Sequence, residues 1–243
     1  MPKSRSTPTF GLARVLSKRG ICSRSQGEKL AREGRVRVDG KVVRDPEFPI
    51  RGTERIDVDG GGVETAAPVY LVMNKPRGIV VSASDERGRD TVYSLLEGAG
   101  LPWLGPVGRL DKASEGLLLL SNDTVWAAGI TDPATHVSKT YHVQVAGHPD
   151  ETTIEAMLKG VVDDGEPLRA GAAMRLRQGE KNAWLEVTLD EGRNRHIRRL
   201  MRVLGFEVQR LVRVAIGELP LGELPKGQWR HLTDGEVTAL RKR

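Results

Sequence analysis

Cysteine is almost missing from this chain of 243 residues. The single one, Cys22, excludes an internal disulfide and any zinc site built from several thiolates. Aromatic residues make up only 4%, so the core must be aliphatic. No apolar run reaches the roughly eighteen residues a membrane span needs, and the opening MPKSRSTPTF lacks the apolar stretch of a secretory signal. A cytoplasmic protein is expected. The histidines, His136, His142, His148, His196 and His231, show neither HExxH nor HxH spacing, so no metal is expected. A GxxxxGKS/T phosphate loop and a helix-opening GxGxxG are also missing, and with them the usual signs of a nucleotide cofactor. Any reaction must be carried by side chains without a cofactor.

Charge is present but unevenly placed. Residues 1–59 hold fourteen Lys/Arg against eight Asp/Glu, an excess equal to the net charge of +6 of the whole chain. A second excess runs through 192–213, GRNRHIRRLMRVLGFEVQRLVR, with seven arginines and one glutamate. Two basic patches in a chain of pI about 9.6 point to a polyanion, since cationic side chains gain affinity by releasing counterions from phosphates. A solvated surface gives the same charge run. Neither patch shows the apolar, aromatic face of a membrane-surface helix, so no membrane partner is expected.

Residues 10–59 read as helix, turn, helix, hairpin. Leu12, Val15 and Leu16 have helical spacing and Gly20 ends that segment; Ser23 with Gln26 forms a capping box for the next, which Gly34 closes. RVRVDGKVV then alternates about Asp39-Gly40, a strong hairpin signal. The spacing displays Arg35, Arg37 and Lys41 away from Val36, Val38 and Val42, leaving the basic groups for a partner. This segment resembles the small RNA-binding domain shared with ribosomal protein S4. It departs from that family at Gly11, where an arginine is usual, at the cost of a weakened phosphate contact.

GGGVETAAP, 60–68, reads as a linker of glycine, small residues and proline. Beyond it, residues 69–243 carry short aliphatic runs at 69–73, 117–120, 140–145, 184–189 and 211–216, with helical spacing at 152–158 and 196–204. Their irregular alternation argues for an α+β domain on one mixed or antiparallel sheet.

The most informative stretch is 108–123, GRLDKASEGLLLLSND. Arg109 and Asp111 precede the apolar run Leu117 to Leu120, which polar tripeptides bracket as turns bracket a buried strand. With NKPRG at 74–78, KTYHVQV at 139–145, LEVTLDEGRNRHIRRLM at 185–201 and the ending GELPLGELPKGQWRHLT at 217–233, it is similar in order and spacing to the bacterial ribosomal-RNA pseudouridine synthases of the RsuA and RluB branch. That resemblance covers nearly the whole chain. It implies a two-domain α+β enzyme, with a helix-helix-hairpin RNA-binding domain ahead of a catalytic domain built on a mixed, mainly antiparallel sheet with flanking helices.

The resemblance also implies roles. Asp111 matches the family's catalytic aspartate. Arg109 matches the arginine that fills the gap left by a flipped-out base, where a planar guanidinium can stack and hydrogen-bond. Tyr141 matches the tyrosine that stacks on the target base, and Arg198 the basic residue that pairs with the aspartate. A carboxylate suits the chemistry. It can attack the sugar carbon or C6 of the base, stabilise a cationic sugar or take a proton, and then leave without a cofactor. The spacing does not choose among these routes.

Each residue has a structural alternative. Asp111 can be a turn residue bridging to Arg109, Tyr141 a core residue on an alternating strand, and Lys75 a strand-end charge. Arg198, Arg199 and Arg202 recur at helical spacing and suit a solvated face. His196 stands where related enzymes commonly have glutamine. The expectation is isomerisation of a uridine in ribosomal RNA, or in a ribosome-assembly intermediate, by a monomer; the wording EGRNR is nearer the large-subunit branch. A catalytically silent RNA-binding assembly factor shares every basic patch, and a hydrolase releasing free uracil needs the same carboxylate.

Overall fold

The computed structural model describes residues 9–83 and 88–241. Residues 1–8, whose Lys3 and Arg5 belong to the N-terminal charge excess, and residues 242 and 243 of the expected catalytic domain lie outside the described residues. The chain divides into two compact units. The first comprises the residues up to Val69 together with 98–105 and 121–124; the second comprises the rest.

The first unit holds β1 (Phe10–Gly11), helices α1 (Leu12–Lys18) and α2 (Arg24–Arg32), and strands β2 (Val36–Val38), β3 (Lys41–Val42), β4 (Pro49–Ile50), β5 (Ile56–Val58) and β6 (Gly61–Gly62). Leu12, Val15 and Leu16 are buried with Cys22, Ala31, Val36, Val38, Ile50 and Ile56 in one aliphatic core. The Ser23 capping box forms as the sequence requires. The Ser23 hydroxyl accepts from the Gln26 N–H at 3.1 Å, and the Gln26 side chain accepts from the Ser23 N–H at 2.9 Å. Such a cap contributes about 1 kcal/mol. Gly27 sits inside α2 where a Cβ would lie 3.2 Å from the Ala13 carbonyl oxygen of α1, so a side chain there would push the two helices apart by a few tenths of an ångström.

Two expectations are corrected here. Across Asp39-Gly40, Val38 pairs with Lys41 and Arg37 with Val42. Directly paired residues of an antiparallel ladder share a face. Val42 therefore lies beside Arg37 on the solvent side, 45% exposed, while Val36 and Val38 are buried. Arg35, Arg37 and Lys41 are all exposed, Lys41 because β3 is the edge of the β3-β2-β5-β6 sheet. The glycine-rich stretch is also more than a linker, for Gly61 and Gly62 pair with Val58 and Asp57 as the outer strand. Backbone pairing needs no side chain, so periodicity carried no sign of it.

The second unit is a mixed α+β structure. Its strands are β7 (Tyr70–Lys75), β8 (Gly105–Val107), β9 (Glu115–Ser121), β10 (Lys139–Ala146), β11 (Val161–Asp163), β12 (Glu166–Leu168), β13 (Ala172–Gln178), β14 (Asn182–Leu189), β15 (Val208–Ile216), β16 (Leu219–Pro220) and β17 (Trp229–His231). The helices are α3 (Thr124–Thr131), α4 (Glu151–Lys159), α5 (His196–Val203) and α6 (Asp234–Arg241). The large sheet runs β13-β14-β10-β15-β9-β7-β17. β10 is antiparallel to both β14 and β15, whereas β15 meets β9 in parallel, with Arg213 opposite Gly116. All five aliphatic runs and both helical segments read from the sequence fall on these elements. Ile154 and Met157 of α4 and Ile197, Leu200 and Met201 of α5 cover Val143, Val145, Leu185, Val187 and Leu189 on one sheet face. A second cluster joins Trp126, Ile130, Val237 and Leu240 of α3 and α6 to Val72, Leu117, Leu119 and Ile216.

The junction of β9 and β15 fixes the start of β9. A Cβ at Gly116 would stand 2.3 Å from the Arg213 carbonyl oxygen and 2.8 Å from its nitrogen, and Gly116 has φ +101°. Only glycine satisfies both demands. The chain enters this buried strand directly from the turn that bears Asp111.

Candidate active site

Residues 111–114 form a turn closed by the Ser114 N–H donating to the Asp111 carbonyl at 2.9 Å. Beneath it lies Lys75, the last residue of β7, which is 0% exposed. Its ammonium donates to the carbonyls of Ser114 at 2.8 Å, Pro76 at 3.1 Å and Asp111 at 3.3 Å. Burial pulls the Lys75 pKa down to about 8; the charges of Glu115 and Asp111 oppose that fall, and Arg213 adds to it. The Gly78 N–H donates to the Lys112 carbonyl at 2.8 Å. The turn is thus pinned from the β7 side while the Asp111 side chain stays 43% exposed.

The carboxylate opens into a cavity of about 540 Å³ whose lining includes Arg109, Tyr141, Arg195, His196 and Arg213. Six Lys and Arg side chains line it against three acidic ones, which favours an anionic ligand. Tyr141 is half-buried on β10 and packs against the helix-covered core. Arg109 is exposed on the rim and makes no ion pair among the described residues. The structure therefore brings Asp111, Arg109 and Tyr141 together at one opening.

Arg198 is placed differently from the expected direct pair. Its guanidinium donates to the Val208 carbonyl at 3.0 Å and the Ala113 carbonyl at 3.2 Å. Burial and repulsion from Arg195 pull its pKa down, while Asp111 opposes that fall. Arg198 so steadies the backbone of the Asp111 turn, and among the described residues the cation in ion-pair range of Asp111 is Arg195, with Nη1 at 3.7 Å from Oδ2. Arg195 has φ +50°, an αL conformation rare outside glycine, and is the residue just before α5. Farther along α5, Arg199 and Arg202 both bind Asp163 of β11, and Arg199 also binds Glu166. They brace a hairpin and take no part in the cavity. Arg35, in the first unit, is bound to Asp59 and Glu33, whereas Arg37 donates to the Gly40 carbonyl at 3.1 Å.

Sequence reasoning assigned no role to three residues at or beneath this site. Lys75 looked like a strand-end charge, and its burial depends on β7 meeting the 111–114 turn from far along the chain. Arg213 is 4% exposed and donates to the Leu117 carbonyl at 2.7 Å, with Nη2 unpartnered. Its signal was the basic, alternating character of β15 opposite Tyr141. His196 is 3% exposed, and burial lowers its pKa.

The family model described as RNA pseudouridylate synthase matches residues 69–202. The chain belongs to that family. An S4 domain model matches residues 10–56, so this RNA pseudouridine synthase carries an N-terminal RNA-binding domain. The ribosomal large subunit pseudouridine synthase B of Bacillus subtilis is 36% identical over 95% of this chain and 95% of its own length. An uncharacterized RNA pseudouridine synthase of Mycobacterium bovis is 37% identical, over 98% of this chain and 95% of its own. A crystal structure of a pseudouridylate synthase superposes with a TM-score of 0.67 at 30% identity, covering 95% of this chain and 99% of that one.

Proposed function

We propose that this enzyme isomerises one uridine of ribosomal RNA, in the large-subunit RNA, with Asp111 as the catalytic carboxylate. The observation that carries the reading is the placement of Asp111: a half-exposed carboxylate on a turn pinned by a buried lysine, at a cavity lined by Tyr141 and by more cations than acids. The reaction balances without a cofactor. The N1–C1′ bond breaks, the uracil turns, C5 bonds to C1′, the C5 proton leaves to water and N1 gains a proton. Asp111 attacks C1′ or C6, or stabilises the sugar cation; Tyr141 stacks on the base and Arg109 fills the space it vacated. Arg198 holds the turn that aims Asp111. Arg37 and Lys41, and Arg35 once released from Asp59, contact phosphates, so residues 10–59 bind RNA and 69–243 catalyse.

The large-subunit assignment rests on the EGRNR wording and on the Bacillus subtilis relative. Mapping pseudouridines across ribosomal RNA from cells with and without the gene tests activity and substrate together. One large-subunit position should lose its modification. Tritium at uridine C5 should be released to water in vitro; free uracil would indicate a hydrolase, and unchanged RNA across all substrates an assembly factor.

A further inference from the structure

Four strands of the large sheet, β13, β14, β10 and β15, have one face buried under α4 and α5 and the other open among the described residues. Tyr141 points to the buried face, so its neighbours His142 and Gln144 point alternately away from the catalytic cavity. Across the open face one row reads Arg177, Trp184, Gln144, Arg210, each directly paired with the next. The next reads Met174, Glu186, His142, Val212, and a third Ala172, Thr188, Thr140, Ala215. All of these side chains are half-buried or exposed.

The centre of this face is unusual for a solvated sheet. Guanidinium carbons lie 5.0 Å (Arg177) and 5.5 Å (Arg210) from the ring centroid of Trp184. Met174 beside them is 54% exposed. Arg210 is anchored by the buried Glu115, which also holds Lys226. Arg177 makes no ion pair among the described residues, so its charge is left for a partner. The acidic group on the face, Glu186, is bonded to His142 at 3.1 Å.

We propose that this open face binds a single-stranded segment of the RNA substrate distant from the target nucleotide. The inference rests on RNA being the substrate, not on Asp111 being the catalytic carboxylate. An aromatic ring with neighbouring guanidinium planes on an open four-stranded sheet offers flat surfaces on which unpaired bases stack. Arg177 supplies the cation for a backbone phosphate, and the hydroxyls of Thr140 and Thr188 and the Gln144 amide supply sequence-tolerant polar contacts. A protein partner would need acidic groups for Arg177 and an apolar area larger than Trp184 and Met174 offer.

The test uses the full chain and a twelve-nucleotide oligouridylate containing 4-thiouridine. Near-ultraviolet crosslinking followed by peptide mapping should place crosslinks in peptides containing His142 or Trp184. Arg177→Gln, at an exposed position that the fold does not need, should weaken binding and flatten the salt dependence by about one unit of log–log slope. Trp184→Leu should weaken binding about tenfold with the slope kept, the loss expected for one stacked base. Crosslinks confined to the cavity or the N-terminal unit, or affinities and slopes unchanged in both variants, would overturn the proposal. So would a change of sedimentation in Trp184→Leu with RNA affinity intact, which would mark a contact between copies. Tritium release on ribosomal RNA and its assembly intermediates distinguishes the two readings. No release by the wild type on any of them refutes the isomerase assignment and leaves the crosslinks standing; release beside unchanged binding in both variants refutes only the RNA face.

Discussion

Replacing Lys75 by methionine separates the stability of the Asp111 turn from its aim. The lysine is fully buried and its ammonium satisfies three carbonyls, two of them belonging to the turn itself. Its pKa, down from 10.5 to about 8, means that holding it charged at neutral pH costs about 3 kcal/mol. Methionine keeps the stem and removes that cost, but it leaves buried acceptors unsatisfied at about 1–3 kcal/mol each. The two effects largely offset, and a net loss of about 1–3 kcal/mol is expected in urea unfolding at pH 7. Catalysis has no such offset. A turn displaced by about 1 Å costs on the order of a hundredfold in rate, so single-turnover tritium release should collapse while RNA affinity remains.

The pH dependence carries its own sign. Below about pH 8 the lysine is charged in folded and unfolded chains alike, and its burial cost is fully present. Between about 8 and 10.5 the unfolded chain binds the extra proton, so the wild type gains stability with rising pH relative to Lys75→Met. The stability difference between the two proteins should therefore widen across that window. A methionine variant with near-native turnover, or a gap that narrows as pH rises, would refute the role given to this lysine.

Asp111→Asn keeps the shape but removes the ionisable carboxylate, and should abolish C5 tritium release while filter binding shows RNA affinity retained. Arg198→Met deprives the Ala113 and Val208 carbonyls of their donor and should cost about 1–3 kcal/mol in thermal unfolding along with most of the activity; Arg198→Lys should recover part of both. Gly116→Ala forces a Cβ into the Arg213 backbone and should destabilise the second unit by about 2–5 kcal/mol, read as a lower urea midpoint. Arg37→Glu with Lys41→Glu should weaken RNA binding and reduce its salt slope by about one for each phosphate that is no longer neutralised.

What the sequence showed and hid follows from how local each interaction is. The run Leu117 to Leu120 announced a strand buried on both faces, and every residue of β9 is buried. The Ser23 capping box and the paired periods of β10 and β14 were equally plain, because each is set by residues a few positions apart. Strand β13 was silent. It is an edge strand, exposed along nearly its whole length, so no apolar alternation marks it. The switch of faces at Asp39-Gly40 was misread because alternation continues through a two-residue turn on paper but reverses in register across the ladder. The burial of Lys75 joins β7 to a turn that lies far along the chain, a relation no local pattern carries.

The arginine-rich segment 192–213 shows the same limit in its electrostatics. As a string it reads as one basic patch for a polyanion, yet the fold gives each of its arginines a partner inside the protein. Arg193 meets Glu191, Arg195 meets Asp111, Arg199 and Arg202 meet Asp163, and Arg210 meets Glu115. Arg198 and Arg213 are engaged by backbone carbonyls. Most of that charge therefore holds the candidate site and its supporting hairpin in place, and phosphate binding is expected instead of cations without acidic partners. Arg109 and Lys112 at the cavity, Arg177 on the open sheet face, and Arg37 and Lys41 in the N-terminal unit make no ion pair among the described residues. The salt dependence of RNA binding should accordingly respond to substitutions at those positions and stay nearly constant when Arg199 or Arg202 is exchanged for glutamine, although those exchanges loosen the β11–β12 hairpin.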